Sequence, residues 1–114
     1  MDLSIEGSEG DIARVRLAGR IVQEAPGADP MLKLLGSEGY RRHVLLNLAG
    51  ASFIDSGGVG WLLKCHRCFR EASGRLVLHS VPPVVSNVIR VMRLDTALKI
   101  APDEQAALGV AKEM

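Results

Sequence analysis

Hydrophobic and polar positions change rhythm several times along the chain, and each change marks an element. Ala13, Val15 and Leu17 alternate with Arg14 and Arg16, the period of two that gives a strand one buried face. With residues 3–6 before it and Gly7-Ser8-Glu9-Gly10 between, the stretch 11–18 reads as the second arm of a hairpin, closed by Gly19-Arg20-Ile21. Between Ile21 and His43 the pattern is interrupted by Pro26, Gly27, Pro30, Gly36 and Gly39. That leaves a short helix over 29–35, with Pro30 in its first turn. His43-Val44-Leu45-Leu46-Asn47-Leu48 is nearly continuous in apolar residues, which a strand covered on both faces requires.

The period then becomes helical. From about 57 to 72, Val59, Leu62, Leu63, His66 and Phe69 fall on one side at 100° per residue, so that side is the expected core face, with Trp61 and Cys68 well away from it. Gly74 is placed to end this helix in a left-handed conformation. Arg75-Leu76-Val77-Leu78-His79 is a further strand, and Val81-Pro82-Pro83 opens a helix through Val84, Val85, Val88, Ile89 and Met92. Residues 94–100 supply a turn and a short last strand, and Pro102-Asp103-Glu104-Gln105 opens a terminal helix to about Ala111 with acids in its first turn. The order β-β-α-β-α-β-α-β-α predicts an α/β fold: a mixed sheet of four to five strands with a parallel core, a hairpin at the N-terminus and helices packed on the sheet.

Composition narrows what such a domain can be. The chain has 114 residues, enough for one hydrophobic core, so residues 1–114 are read as a single domain. Hydrophobic residues make up 47% and aromatic ones only 4%, so the core is aliphatic. A net charge of +1 gives no electrostatic case for nucleic acid or an anionic membrane surface. The opening Met1-Asp2-Leu3-Ser4-Ile5-Glu6 lacks a basic-then-apolar leader, and no apolar run is long enough to span a bilayer. The expected location is the cytoplasm, with Cys65 and Cys68 reduced.

The candidate chemistry lies where the apolar strand hands over to the long helix, in Phe53-Ile54-Asp55-Ser56-Gly57-Gly58-Val59-Gly60. Asp55 and Ser56 are both good helix N-caps, and Gly57, Gly58 and Gly60 remove bulk from the helix start. Loops leaving the carboxyl ends of parallel strands carry the sites of open α/β sheets. Ser56 is therefore a candidate phosphoacceptor. Its ordinary alternative is a capping serine, and Asp55 is either a cap or a support for the Ser56 hydroxyl or a kinase-bound metal.

These residues resemble the Asp-Ser-x-Gly-hydrophobic-Gly signature of STAS domains, specifically the bacterial anti-sigma factor antagonists, and the likeness extends from about Gly19 to Gly109. The resemblance implies that Ser56 is the phosphorylated serine, supported by Asp55, Gly57 and Gly58. Gly57 stands where relatives often carry a second hydroxyl, and Val22 where an acid is common. It further implies a non-enzymatic switch with no cofactor: the unmodified form binds a cognate anti-sigma factor that is a serine protein kinase, releasing a sigma factor. Phosphorylation blocks binding and a serine phosphatase restores it. Ile21, Val22, Trp61 and Lys64 are the expected partner-facing residues, with an off-core Trp61 as apolar anchor.

Two other classes compete. One is a STAS scaffold without switching, an adaptor in a stress-signalling complex or beside a lipid-transport ATPase. The other is a thiol redox protein using Cys65 and Cys68 in Cys65-His66-Arg67-Cys68. Against the latter, reactive pairs sit at helix starts, whereas these fall in mid-helix. His43 and His79 stand at no recognisable zinc spacing, so no metal site is expected. No His-Asp pair accompanies Ser56 and no phosphate loop follows a strand, so hydrolase and nucleotide-hydrolysing chemistry lack their residues.

Overall fold

The structure, a computed structural model, describes residues 1–23 and 29–112; Pro26 and Gly27 of the expected helix-breaking stretch lie outside them. The first two strands, β1 (Asp2–Glu9) and β2 (Ile12–Ile21), pair antiparallel from Asp2↔Ala18 to Glu9↔Ile12. The connection is thus only Gly10-Asp11, with Gly10 at φ 59°, a left-handed conformation that glycine adopts without strain. Gly7 and Ser8, expected in the turn, continue the strand. A bulge between Ile5 and Gly7 shifts the register, and the Arg14 side chain lies over Gly7 where a Cβ would otherwise stand.

The remaining strands are β3 (His43–Ile54), β4 (Arg75–His79) and β5 (Lys99–Ala101), parallel to β2 and to one another, in the order β1-β2-β3-β4-β5. Strand β3 runs six residues past the expected end at Leu48. Its extension survives because β2 keeps pairing with it, as Ala18↔Gly50 and Ile21↔Ile54, while two register shifts absorb one extra β3 residue each.

The helices are α1 (Pro30–Leu35), α2 (Ser56–Glu71), α3 (Pro83–Val91) and α4 (Glu104–Lys112). Alternation along β3 and β4 divides the core. Val44, Leu46, Leu48, Leu76 and Leu78 face a cluster with Val59, Leu62 and Phe69 of α2, Val85 and Ile89 of α3 and Met31 of α1. Leu45 and Val77 face the other way, against Ala101 and the small residues Ala107 and Ala111 of α4. Both faces of β3 are therefore covered, as its unbroken apolar run requires.

Local chemistry fixes the ends. Asp29 caps α1 by accepting from the Leu32 N–H at 3.1 Å, and its carboxylate also accepts from the Tyr40 hydroxyl at 2.6 and 2.8 Å. Tyr40, in a 3-10 turn over Gly39–Arg41, meets the Phe69 ring edge-on at 4.9 Å. Helix α2 closes with the Ser73 N–H donating to Arg70 and the Gly74 N–H to Phe69, the paired bonds of a Schellman end. The left-handed residue is Ser73, at φ 68°, and not Gly74. Gly74 is glycine for a different reason: a Cβ there would stand 2.1 Å from the Tyr40 carbonyl oxygen.

Candidate functional site

The site is built by the way β3 ends. Asp55 takes an extended backbone conformation and its carboxylate accepts from the Gly58 N–H at 2.8 Å, while its carbonyl accepts from the Val59 N–H at 2.9 Å. Asp55 is thus the N-cap of α2, and Ser56 is the first helical residue. The capping bond occupies the Asp55 carboxylate, and Ser56 is exposed with no hydrogen-bond partner for its hydroxyl among the described residues. The hydroxyl therefore faces solvent beside the positive end of a 16-residue helix.

The three glycines do different things. A Cβ on Gly58 would lie 1.9 Å from the Ile21 carbonyl oxygen, so this glycine lets α2 rest directly on the end of β2. It is buried and unavailable to a visiting chain, contrary to its expected role as open space. Gly57 is half-buried beside Gln23, whereas Gly60 is exposed with nothing within 4 Å of a Cβ. Along the helix, Ser56, Gly60, Lys64 and Arg67 are all exposed, and their spacing puts them on one face.

Of the expected partner-facing residues, Lys64 is exposed and Val22 half-buried, but Ile21 is fully buried and Trp61 is 5% exposed. These last two are corrections. Of the expected core side, Val59, Leu62 and Phe69 are buried and Leu63 and His66 only half-buried, because the Gly58 contact rolls α2 onto β2 and the buried face becomes Gly58, Val59, Trp61, Leu62, Cys65 and Phe69. Trp61 follows Gly58 by three residues and joins the core that includes Ile21 and Met31. Side chains held there cannot anchor a partner.

The exposed apolar group beside Ser56 is instead Phe53, 38% exposed, with the Arg20 guanidinium 4.7 Å above its ring. The register shift between Gly19 and Arg20 breaks the alternation here and leaves both Ser52 and Phe53 exposed. With Ile54 pointing inward at 5% exposure, Phe53 must point outward.

Cys65 and Cys68 are unbonded thiols in mid-helix. Cys65 is 1% exposed, and burial, helped by the nearby Asp29 charge, pushes its thiol up to about 12. Such a thiol is almost wholly protonated at neutral pH and a poor nucleophile. Among the described residues no group of three His, Cys, Asp or Glu is placed to hold a metal ion.

Fold and site together define a class: an α/β domain that presents an exposed serine hydroxyl and a partly cationic helix face at the carboxyl end of its sheet, with no hydrogen-bond partner for that hydroxyl among the described residues. Residues 7–107 match the STAS domain model, and the chain belongs to the STAS domain family. An anti-sigma F factor antagonist from Lysinibacillus sphaericus is 35% identical over 63 residues, a stretch covering 55% of this chain and 54% of that protein. The chain thus aligns with about half the length of this relative.

Solved structures share the fold. A candidate anti-sigma factor antagonist from Thermotoga maritima superposes with a TM-score of 0.76 at 17% identity, covering 97% of this chain and 95% of that one. An anti-sigma-factor antagonist (STAS) domain protein from Planctomyces limnophilus gives 0.69 at 19%, covering 98% and 100%. The unphosphorylated anti-sigma factor antagonist SpoIIAA gives 0.65 at 18%, covering 99% and 100%.

Proposed function

We propose that residues 1–114 act as one domain of the anti-sigma factor antagonist type: a non-enzymatic, cytoplasmic switch whose unmodified form binds a cognate anti-sigma factor with serine kinase activity, so that a sigma factor is released. Phosphorylation of Ser56 by that kinase cancels binding, and a serine phosphatase restores it. The observation that carries this reading is the exposed Ser56 hydroxyl, unpartnered among the described residues, at the first position of α2.

The chemistry of the switch follows from that position. A phosphate adds about −1.5 to −2 charges. It gains from the helix dipole but stands beside the Asp55 carboxylate, so its effect on the fold is small. Its effect on a partner is larger, because docking over Ser56, Gly60 and Lys64 would desolvate the new dianion. Phe53 supplies the apolar contact first assigned to Trp61, and the Arg20 guanidinium above its ring adds a cationic one.

The test is to incubate the chain with its cognate kinase and ATP. A single phosphate on Ser56 is expected by mass, none on Ser56→Ala, and Ser56→Asp should bind the kinase at least about 30-fold more weakly, the equivalent of about 2 kcal/mol. Unchanged binding by Ser56→Asp, or a phosphate accepted elsewhere, would refute the switch. Stable copurification with a larger assembly that is indifferent to Ser56→Ala would favour an unregulated scaffold.

A further inference from the structure

At the opposite end of the sheet from Ser56, a cleft of about 570 Å³ opens between the last turns of α2, the start of β4, and the segment from Asp95 to Ile100. Its volume lies within the range of small-molecule sites. Four basic groups line it from three elements: His66 and Arg70 of α2, Arg75 of β4 and Lys99 of β5, with Asp95 as the single carboxylate. Arg70 and Lys99 are exposed and form no ion pair or hydrogen bond among the described residues. Arg75 donates from Nη1 to the Val110 carbonyl oxygen at 2.7 Å, which turns its guanidinium to the α4 side of the sheet, away from His66 and Arg70.

His66 carries a buried Nδ1 with no hydrogen-bond partner. Its ring is held below the ordinary imidazole range by burial first and then by the charges of Arg70 and Lys99. Like charges gathered in a concave site repel one another, and a bound anion relieves that repulsion while the low-dielectric walls strengthen its attraction. The floor is apolar, formed by the buried Leu76 and Leu98, with Ala97 and Ile100 beside them.

We infer that this cleft binds a small organic phosphate, with the phosphate held among His66, Arg70 and Lys99 and the apolar body against Leu76 and Leu98. The site is independent of the Ser56 switch: along α2 the fourteen residues from Ser56 to Arg70 span about 21 Å, so each can fail without the other.

The full chain titrated at low ionic strength with phenyl phosphate, inorganic phosphate and phenol, followed by ¹H–¹⁵N spectra, tests it. Phenyl phosphate should give saturable shifts in residues 66–76 and 95–100, leave 54–60 unmoved, and bind about tenfold or more tighter than either fragment. The double variant Arg70→Gln/Lys99→Gln removes only exposed side chains, so it should fold and lose about tenfold or more in affinity. The His66 ring should titrate at higher pH when phenyl phosphate is bound, because the anion offsets the Arg70 and Lys99 charges that hold it down. Shifts that never saturate, inorganic phosphate or the double variant binding equally well, or an unmoved His66 titration would overturn the assignment.

Discussion

Gly58 and Gly60 sit two residues apart in one helix, and the same substitution at each should have opposite signs. In Gly58→Ala the new Cβ would stand 1.9 Å from the Ile21 carbonyl oxygen and 2.6 Å from its carbon, both backbone atoms that no rotamer change can move. Ordinary contact begins near 3.4 Å, so the start of α2 must lift by roughly 1.5 Å. Overpacking of this kind costs about 1–3 kcal/mol. Lifting the helix also loosens the 2.8 Å capping bond from the Gly58 N–H to Asp55, about 1 kcal/mol more. The better helix propensity of alanine returns about 1 kcal/mol, leaving a net loss of about 1–3 kcal/mol. Gly60→Ala meets nothing within 4 Å and keeps only the propensity gain of up to about 1 kcal/mol. Urea unfolding can follow both through Trp61, the one tryptophan of the chain, which moves from 5% exposure to full solvation. With an m-value of about 1–3 kcal/mol per molar, the difference of about 1–4 kcal/mol should separate the two midpoints by about 0.3 M at least, Gly58→Ala below wild type and Gly60→Ala at or above it. A Gly58→Ala protein as stable as wild type would refute the packing of α2 on β2 derived above.

Two further outcomes follow from buried titratable groups. Cys65, with its thiol at about 12, should resist iodoacetamide at pH 8 while the half-buried Cys68 reacts, and both should react in denaturant; equal native rates, read by peptide mass, would contradict the burial. His79, 2% exposed with Nδ1 2.8 Å from the Ser80 hydroxyl, is held below the ordinary imidazole value by desolvation, which outweighs the opposing pull of Glu104, Glu6 and Asp103. A lowered folded pKa means that the unfolded chain takes up the proton first. Stability should therefore fall as pH drops below 6.5, by at most about 1.4 kcal/mol per pH unit. His79→Gln should flatten that decline in urea titrations between pH 6.5 and 5, and an unchanged slope would show that the ring does not carry it.

Most elements were legible because their apolar residues repeat at a definite period: β4 was read to the residue, and α4 within two residues at its start and one at its end. The extension of β3 was not, since Ala49, Gly50 and Ala51 are small residues without a period, and only pairing with Ala18 and Gly19 of β2 makes them strand. Trp61 was misplaced because a helical wheel weighs hydrophobicity on one element alone. Its burial depends on the tilt set by Gly58 and on the core it joins with Met31 of α1, and α1 lies in the segment where prolines and glycines erase the pattern. The exposure of Ser56 was legible for a simpler reason: it stands at a helix start just beyond the carboxyl end of a parallel strand, where loops of open α/β sheets are accessible. Ser73 rather than Gly74 takes the left-handed turn because the close approach of Tyr40 and Arg42 already claims the glycine.

The bulge in β1 bears on how copies of this domain meet at high concentration. An outermost strand of eight residues is a template for edge-to-edge aggregation. Here the irregularity between Ile5 and Gly7 breaks the flat run of donors and acceptors, and the exposed Asp2, Glu6 and Glu9 place like charges along the same ribbon. An incoming strand would have to match the kink and neutralise those carboxylates, so this edge resists pairing with a second copy of the sheet.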